Sequence, residues 1–503
     1  MGRKPVRNQI AVVPFDAFDF ERRLREASGE GSSAGQVRYL ARYCAWLKAK
    51  TVVVEQHYID RHYLDEFAFY YCRSLSPPPN HVCRFHLFDK AFDLAALRKR
   101  MKEVAGTRGS IESGDIERAY RGFVSIRPIP AVPVGRTVLA RIEDGEPREI
   151  WATGKQQVHL ANLELEVDGL AFQQQDLAVG ACATAALWSA LSRVTRMERM
   201  RAPTPAEVSE AAGRHLLASG RVVPAAAGLT VQQLSEAVRS CGFAPEYVRA
   251  DRNEIFVATL HAYLRSGIPV LLHLRGKLDE QDVGHAVTAV GFRSAPMANP
   301  LLHSTVQLRS ARMTKLYIHD DRIGPYARAF LRPASGNAAW KESLVLDVEV
   351  DRSKKTAVVE NWVTLAALIP VYPKMRLSVR SLLSLAEAMA KPMEGAVGAQ
   401  RAQRLSVEVF YRRSGEYVRR LGGLVDPTDA ASAFSEVAFP RWCGIVRWYM
   451  DDAPLIDFVY DSTDILRNVA DRGRDLLRAV TCLHRPFVPV ADQFAKYFDV
   501  PRI

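Results

Sequence analysis

The stretch FQQQDLAVGACATAALWSAL, residues 172–191, decides how this chain is read. Ala183, Ala186, Leu187, Ala190, Leu191 and Val194 recur at i, i+3, i+4, i+7, i+8 and i+11, the spacing of one apolar helix face. A buried helix is therefore expected, with Cys182, directly after Gly180 and Ala181, in its first turn. The positive end of a helix dipole favours thiolate there, and thiolate is the form of cysteine that attacks a carbonyl carbon. Three glutamines, Gln173, Gln174 and Gln175, precede it. A side-chain amide from that run, together with the Cys182 N–H, would stabilise an oxyanion.

Two segments further along supply what such a thiol needs. In DEQDVGHAVTAVGF, 279–292, His285 follows a glycine and begins an apolar strand. Imidazole has the right pKa to hold a thiol proton near neutrality. In LYIHDDRIGPYARAF, 316–330, a strand runs into Asp320 and Asp321 and then a Gly-Pro turn. An acid at that place would orient the imidazole and stabilise its charged form. Taken singly, each has a plainer explanation: a small buried cysteine, a core histidine, a strand end that caps a turn.

Taken together, cysteine at a helix start, Gly-His on a strand and Asp at the end of the next strand resemble the papain-like cysteine peptidase fold. GHAVTAVGF followed by YIHDD is most similar to the bacterial bacteriocin-processing peptidases. The resemblance covers about residues 165–335. It implies Cys182 as nucleophile, His285 as general base and acid, and Asp320 as orienting residue with Asp321 as the alternate. It further implies Gln175 as the oxyanion amide, with Gln174 as the alternate. Ala183 stands where those peptidases carry glycine, and Gln175 lies seven positions before Cys182. The implied function is a peptidase-like hydrolase acting on a peptide or isopeptide bond of a peptide or protein substrate, with no cofactor and no metal. The same triad would serve an acyltransferase or amidase, and a catalytically silent papain-like scaffold is the competing expectation.

Outward from this centre, the pattern of helices followed by strands with tight returns predicts an α+β chain. The expected division is an N-terminal α+β accessory region at 1–150, the papain-like domain at 151–338, and a C-terminal α+β accessory domain at 339–503. Residues 1–50 read as a helical or partly ordered lead-in, 157–170 as a strand, and KPMEGAVGAQRAQ, 391–403, as a loop. A length of 503 residues exceeds what one core usually supports, which agrees with several domains.

Composition excludes some classes. Hydrophobic residues are 48% and charged residues 25%, ordinary for a globular protein and contrary to disorder or coiled coil. No apolar run reaches the ~18 residues of a membrane helix, and the start MGRKPVRNQIAVVPFDAFDF lacks a secretory core. Seven cysteines, an odd and sparse number, point to a reducing cytoplasmic setting rather than a disulfide framework. The net charge of +12 leaves nucleic acid as a minor alternative partner, since Arg is spread along the chain and no recognition motif accompanies it. Cys72, His81, Cys83 and His86 have the residue types of a zinc site but not a finger's spacing. Asp451, Asp452 and Asp457 lack a calcium loop. The sequence leaves the oligomeric state open.

Overall fold

The computed structural model describes residues 10–29, 35–106, 113–176, 182–214, 228–278, 280–296, 301–333, 344–351, 358–421, 437–467 and 469–503. The chain is a mixture of helix and strand in three sheeted regions that share core.

The first region is a five-stranded antiparallel sheet in chain order, β1 (Ile10–Pro14), β2 (Thr51–Tyr58), β3 (Val82–Phe88), β4 (Tyr120–Ile126) and β5 (Val138–Leu139). The lead-in thus contributes an edge strand as well as helices. Because side chains alternate along a strand, Val52 and Val54 pack under the helices Ala17–Ser28 and Gly35–Trp46 with Phe20, Leu24 and Leu40, while Val53 faces the opposite core with Phe88 and Phe123. A sheet covered on both faces explains the unbroken apolar run TVVV. The second face is roofed by a hairpin, β6 (Gly154–Leu160) and β7 (Leu163–Gly169), whose buried residues alternate strictly. The single strand expected at 157–170 is therefore two strands. Ala161, at φ 50°, and Asn162 make the two-residue turn between them, a left-handed backbone that composition alone does not betray.

The central region carries the helices Cys182–Met197, Pro205–Gly213, Val231–Ser240 and Asn253–Arg265. Its strands are β8 (Ala244–Arg249), β9 (Val270–Leu278) and β10 (Gln281–Ser294), a small hairpin β11 (Leu302–His303) and β12 (Val306–Gln307), then β13 (Met313–Asp320), β14 (Gly324–Pro333), β15 (Leu344–Asp351) and β16 (Val358–Val371). The main sheet is antiparallel in the order β15-β14-β13-β10-β9-β16-β8, and β15 also pairs with β16. Six strands therefore close on themselves, with β8 attached outside. Residue 338, the expected edge of the central domain, falls between two neighbouring strands of this sheet, which runs on to Val371.

The third region is a four-stranded meander, β17 (Leu405–Arg413), β18 (Trp442–Met450), β19 (Ala453–Asp461) and β20 (Leu477–Cys482), with the helices Val379–Val397 and Val488–Phe498. The expected loop at 391–403 is largely helical, and Pro392 lies inside Val379–Val397. Proline there removes a backbone hydrogen bond, but Leu382, Leu385, Met389 and Met393 repeat at helical spacing and are all buried, and that burial outweighs the loss. The stacked rings of Tyr263 and Tyr411, 5.5 Å apart, join this region to the central one. No helix among the described residues is long and apolar enough to cross a membrane.

Candidate active site

Cys182 is the first residue of its helix, and the six apolar positions read from the sequence are all buried. Gly180 and Ala181 lie outside the described residues. Small side chains let the helix lie close to the sheet. The Thr288 hydroxyl donates to the Ala186 carbonyl at 2.6 Å, and the Ser189 hydroxyl donates to the Ala171 carbonyl at 2.6 Å. Cys182 itself, in the first turn of this packed rod, is only half-buried.

β10 and β13 are antiparallel neighbours, with Thr288 opposite His319, so His285 and Asp320 come together. His285 Nε2 and Asp320 Oδ1 are 3.0 Å apart, and both residues are buried. Cys182 lies near enough to the same ring to be one of the influences that raise it. With Nε2 taken by Asp320, Nδ1 is the nitrogen left for the thiol. The sequence-predicted Cys, His and Asp are thus one connected group.

Burial by itself would push the imidazole down. The Asp320 charge and hydrogen bond, the nearby Cys182 side chain and the Asp321 charge outweigh it, and His285 is held well above its ordinary value. Burial would push Asp320 up, but the His285 charge and hydrogen bond, the Arg322 N–H at 2.9 Å and the Arg322 charge hold it down. Asp321 Oδ1 is 3.9 Å from His285 Nε2. Burial pushes this carboxyl up, His285 pulls it down and Asp320 pushes it up again, leaving it at about 6. The turn after the aspartates needs its glycine. At Gly324, with φ 154°, an added Cβ would lie 2.2 Å from the Tyr39 ring.

The glutamine run divides in three. Gln173 donates its amide to the buried Glu66. Gln174 accepts the Val134 N–H on its side-chain oxygen at 3.3 Å, and its own N–H pairs with the Val134 carbonyl, so it is tied to the N-terminal region. Gln175 is half-buried and has no side-chain hydrogen bond among the described residues.

Two groups escaped the sequence reading. Trp362 on β16 lays its ring 5.3 Å from that of His285 and is 1% exposed. Its Nε1–H donates to Glu360 at 3.1 Å. Glu360 in turn takes both terminal nitrogens of Arg322, at 2.8 and 2.9 Å. This circuit leads from Asp320 through Arg322 and Glu360 back to the ring that covers His285. The second group is a buried charge cluster upstream of the nucleophile. Arg127, fully buried, lies 3.1 Å from Glu66 and 3.5 Å from Asp176, and donates to the Gln174 carbonyl at 3.3 Å. Tyr71 donates to Asp176. Residues 173–176 are thereby clamped by the N-terminal sheet and the helix Arg61–Phe69. No local pattern could announce either group, because the partners are far apart in sequence.

The other constellations disperse. His86 is wholly buried between Glu55, 2.9 Å away, and Tyr120, 3.0 Å away. Cys72 is exposed and donates to the Ala68 carbonyl, and His81 lies against His57. Asp451 pairs with Arg404, Asp452 with Arg309 and Arg312, and Asp457 with Arg447. Among the described residues, one group of three or more His, Cys, Asp or Glu side chains has its donor atoms within 4.8 Å of one another: His285, Asp320 and Asp321. In it, the shortest approach is already a hydrogen bond. No protein-family profile matches the chain, and no curated protein matches it either.

Proposed function

We propose that this chain is a papain-like thiol hydrolase that opens a peptide or isopeptide bond through Cys182, His285 and Asp320. The observation that carries the reading is the buried His285–Asp320 pair, 3.0 Å apart, with Cys182 near enough to the same ring to raise it. The thiol proton passes to His285 and the sulfur attacks the carbonyl carbon. The C=O electron pair moves to oxygen, held by the Cys182 N–H and the Gln175 amide. The imidazolium gives its proton to the leaving nitrogen as the C–N bond breaks, leaving a thioester on Cys182. Water then attacks that carbon as His285 takes its proton. The C–S bond breaks, and the proton returns to sulfur.

Thiol labelling tests the reading without a substrate. Cys44, Cys83, Cys241, Cys443 and Cys482 all have thiols pushed up by burial, Cys83 and Cys443 to about 12. Exposed Cys72 is the competing thiol, so a Cys72→Ser background is used. With iodoacetamide at pH 7, Cys182 is expected to be the main site found by mass spectrometry. His285→Ala should slow its labelling by roughly ten-fold or more. An unlabelled Cys182, or a rate that ignores His285, would sink the proposal.

The Glu360 circuit gives a subtler expectation. Glu360→Gln loosens the bidentate Arg322 pair and so the mounting of Asp320. It should lower kcat roughly ten-fold with little change in KM. An unchanged kcat in a folded protein would remove Glu360 from the positioning role.

A further inference from the structure

Between the helix Cys182–Met197 and strands β10 and β13 lies a small cavity of about 10 Å³, the room one water molecule needs. Its walls include Phe172, Gln173, Ala186, Ser189, His319 and Asp321, all of them buried. Two atoms of these side chains, Asp321 Oδ1 and His319 Nε2, have no hydrogen-bond partner among the described residues. Buried polar atoms are rarely left so.

The protonation of His319 follows from its neighbours. Ser189 has one hydroxyl hydrogen and gives it to the Ala171 carbonyl, while its oxygen lies 3.3 Å from His319 Nδ1. In that arrangement Nδ1 is assigned as the donor, in keeping with the pull of the Ala171 carbonyl on the same ring. The ring is neutral, since burial pushes it down to about 3 against the opposing pull of the Ala171 carbonyl. A neutral ring with its hydrogen on Nδ1 presents Nε2 as a bare acceptor. The Asp321 carboxylate oxygen is a second acceptor. A one-water cavity with two acceptors in its wall fits a molecule with two hydrogens to give.

We infer that a single water molecule resides here, donating one hydrogen to Asp321 Oδ1 and the other to His319 Nε2, and that His319 is thereby a positioning residue for the carboxylate beside His285. A hydrogen bond given to a carboxylate favours its ionised form. The charged or titratable groups that bear on Asp321 are His285 from β10, Asp320 and His319 from β13, and Arg322 from the following turn. From the helix Gly35–Trp46 the neutral Gln36 amide donates to the Asp321 carbonyl at 3.4 Å. The consequence for His285 rests on the hydrolase reading. The water site itself does not.

A crystal structure of the full chain grown at pH 7.5 tests the site. One density peak is expected within about 3.2 Å of both atoms. A cavity without such a peak, or Asp321 Oδ1 bonded directly to a protein donor, overturns the inference. His319→Phe keeps a ring against Tyr326 and Phe172, 4.8 and 5.7 Å away, and removes the acceptor. Titration of carboxyl-13C aspartate, with Asp321→Asn to assign the signal, should then show the Asp321 midpoint rising by about one pH unit. An unmoved midpoint removes His319 from the positioning role. Both readouts are independent of turnover, so failure of Cys182 labelling would strike the hydrolase reading and leave this result standing.

Discussion

Cys182→Ala is expected to lower cleavage of any peptide that the wild type cuts by about 10⁴-fold or more, measured by mass spectrometry on a proteome-derived peptide library. The alanine variant keeps the helix, because Ala has the highest helix propensity and the sulfur is only half-buried. What disappears is the atom that forms the thioester in the proposed mechanism. His285→Ala should cost a similar factor, and the double variant little more, since members of one catalytic unit are not additive. If Cys182→Ala retains most of the wild-type cleavage, the nucleophile is misassigned.

The pH profile carries the electrostatics. Asp320 is the largest influence raising His285 against burial, so Asp320→Asn should move the alkaline limb of kcat/KM to lower pH. Stability follows the same pair. His285 is raised in the fold, so its contribution is complete below its ordinary 6.5 and fades as pH climbs through the higher folded value. Asp320 is lowered, so its contribution is present above 3.8 and fades as pH drops through the lower folded value.

Arg127→Met should destabilise the protein by about 3–5 kcal/mol in equilibrium urea unfolding. The guanidinium is wholly buried, and its removal leaves the Glu66 and Asp176 carboxyls in the interior without their cation. Burial already pushes Glu66 above its ordinary value even with Arg127 beside it, so loss of the arginine drives that carboxyl toward its neutral form. The double variant Glu66→Gln with Arg127→Met should recover part of the loss, because one of the stranded charges is gone. Equal and additive losses would mean that the two residues do not act as a pair.

Much of the candidate site was legible because its carriers are local patterns. Helical spacing after Cys182, an apolar strand after His285 and a strand ending at Asp320 can each be read in a dozen residues. Their proximity needed only the antiparallel pairing of two strands that are close in sequence. Trp362, Glu360 and Arg127 were not legible. Trp362 and Glu360 reach the site because β16 returns beside β9, and Arg127 because the N-terminal sheet packs on residues 173–176. The strand β1 was missed because IAVVP is short and finds its place only against β2. The helix through Pro392 was missed because local propensity lost to burial of Met389 and Met393.

The clamp on residues 173–176 bears on how the gene is handled. A laboratory seeking the smallest fragment that carries the candidate site would trim the chain to 151–338. That cut discards Glu66, Tyr71 and Arg127, which hold Gln173 and Asp176, and severs β15 and β16 from the ring they complete. The fragment would expose raw interior on two sides and invite precipitation in the expression host. Evolutionary shuffling faces the same barrier: the candidate site could move to another chain only with the N-terminal sheet and the strands β15 and β16 that hold it.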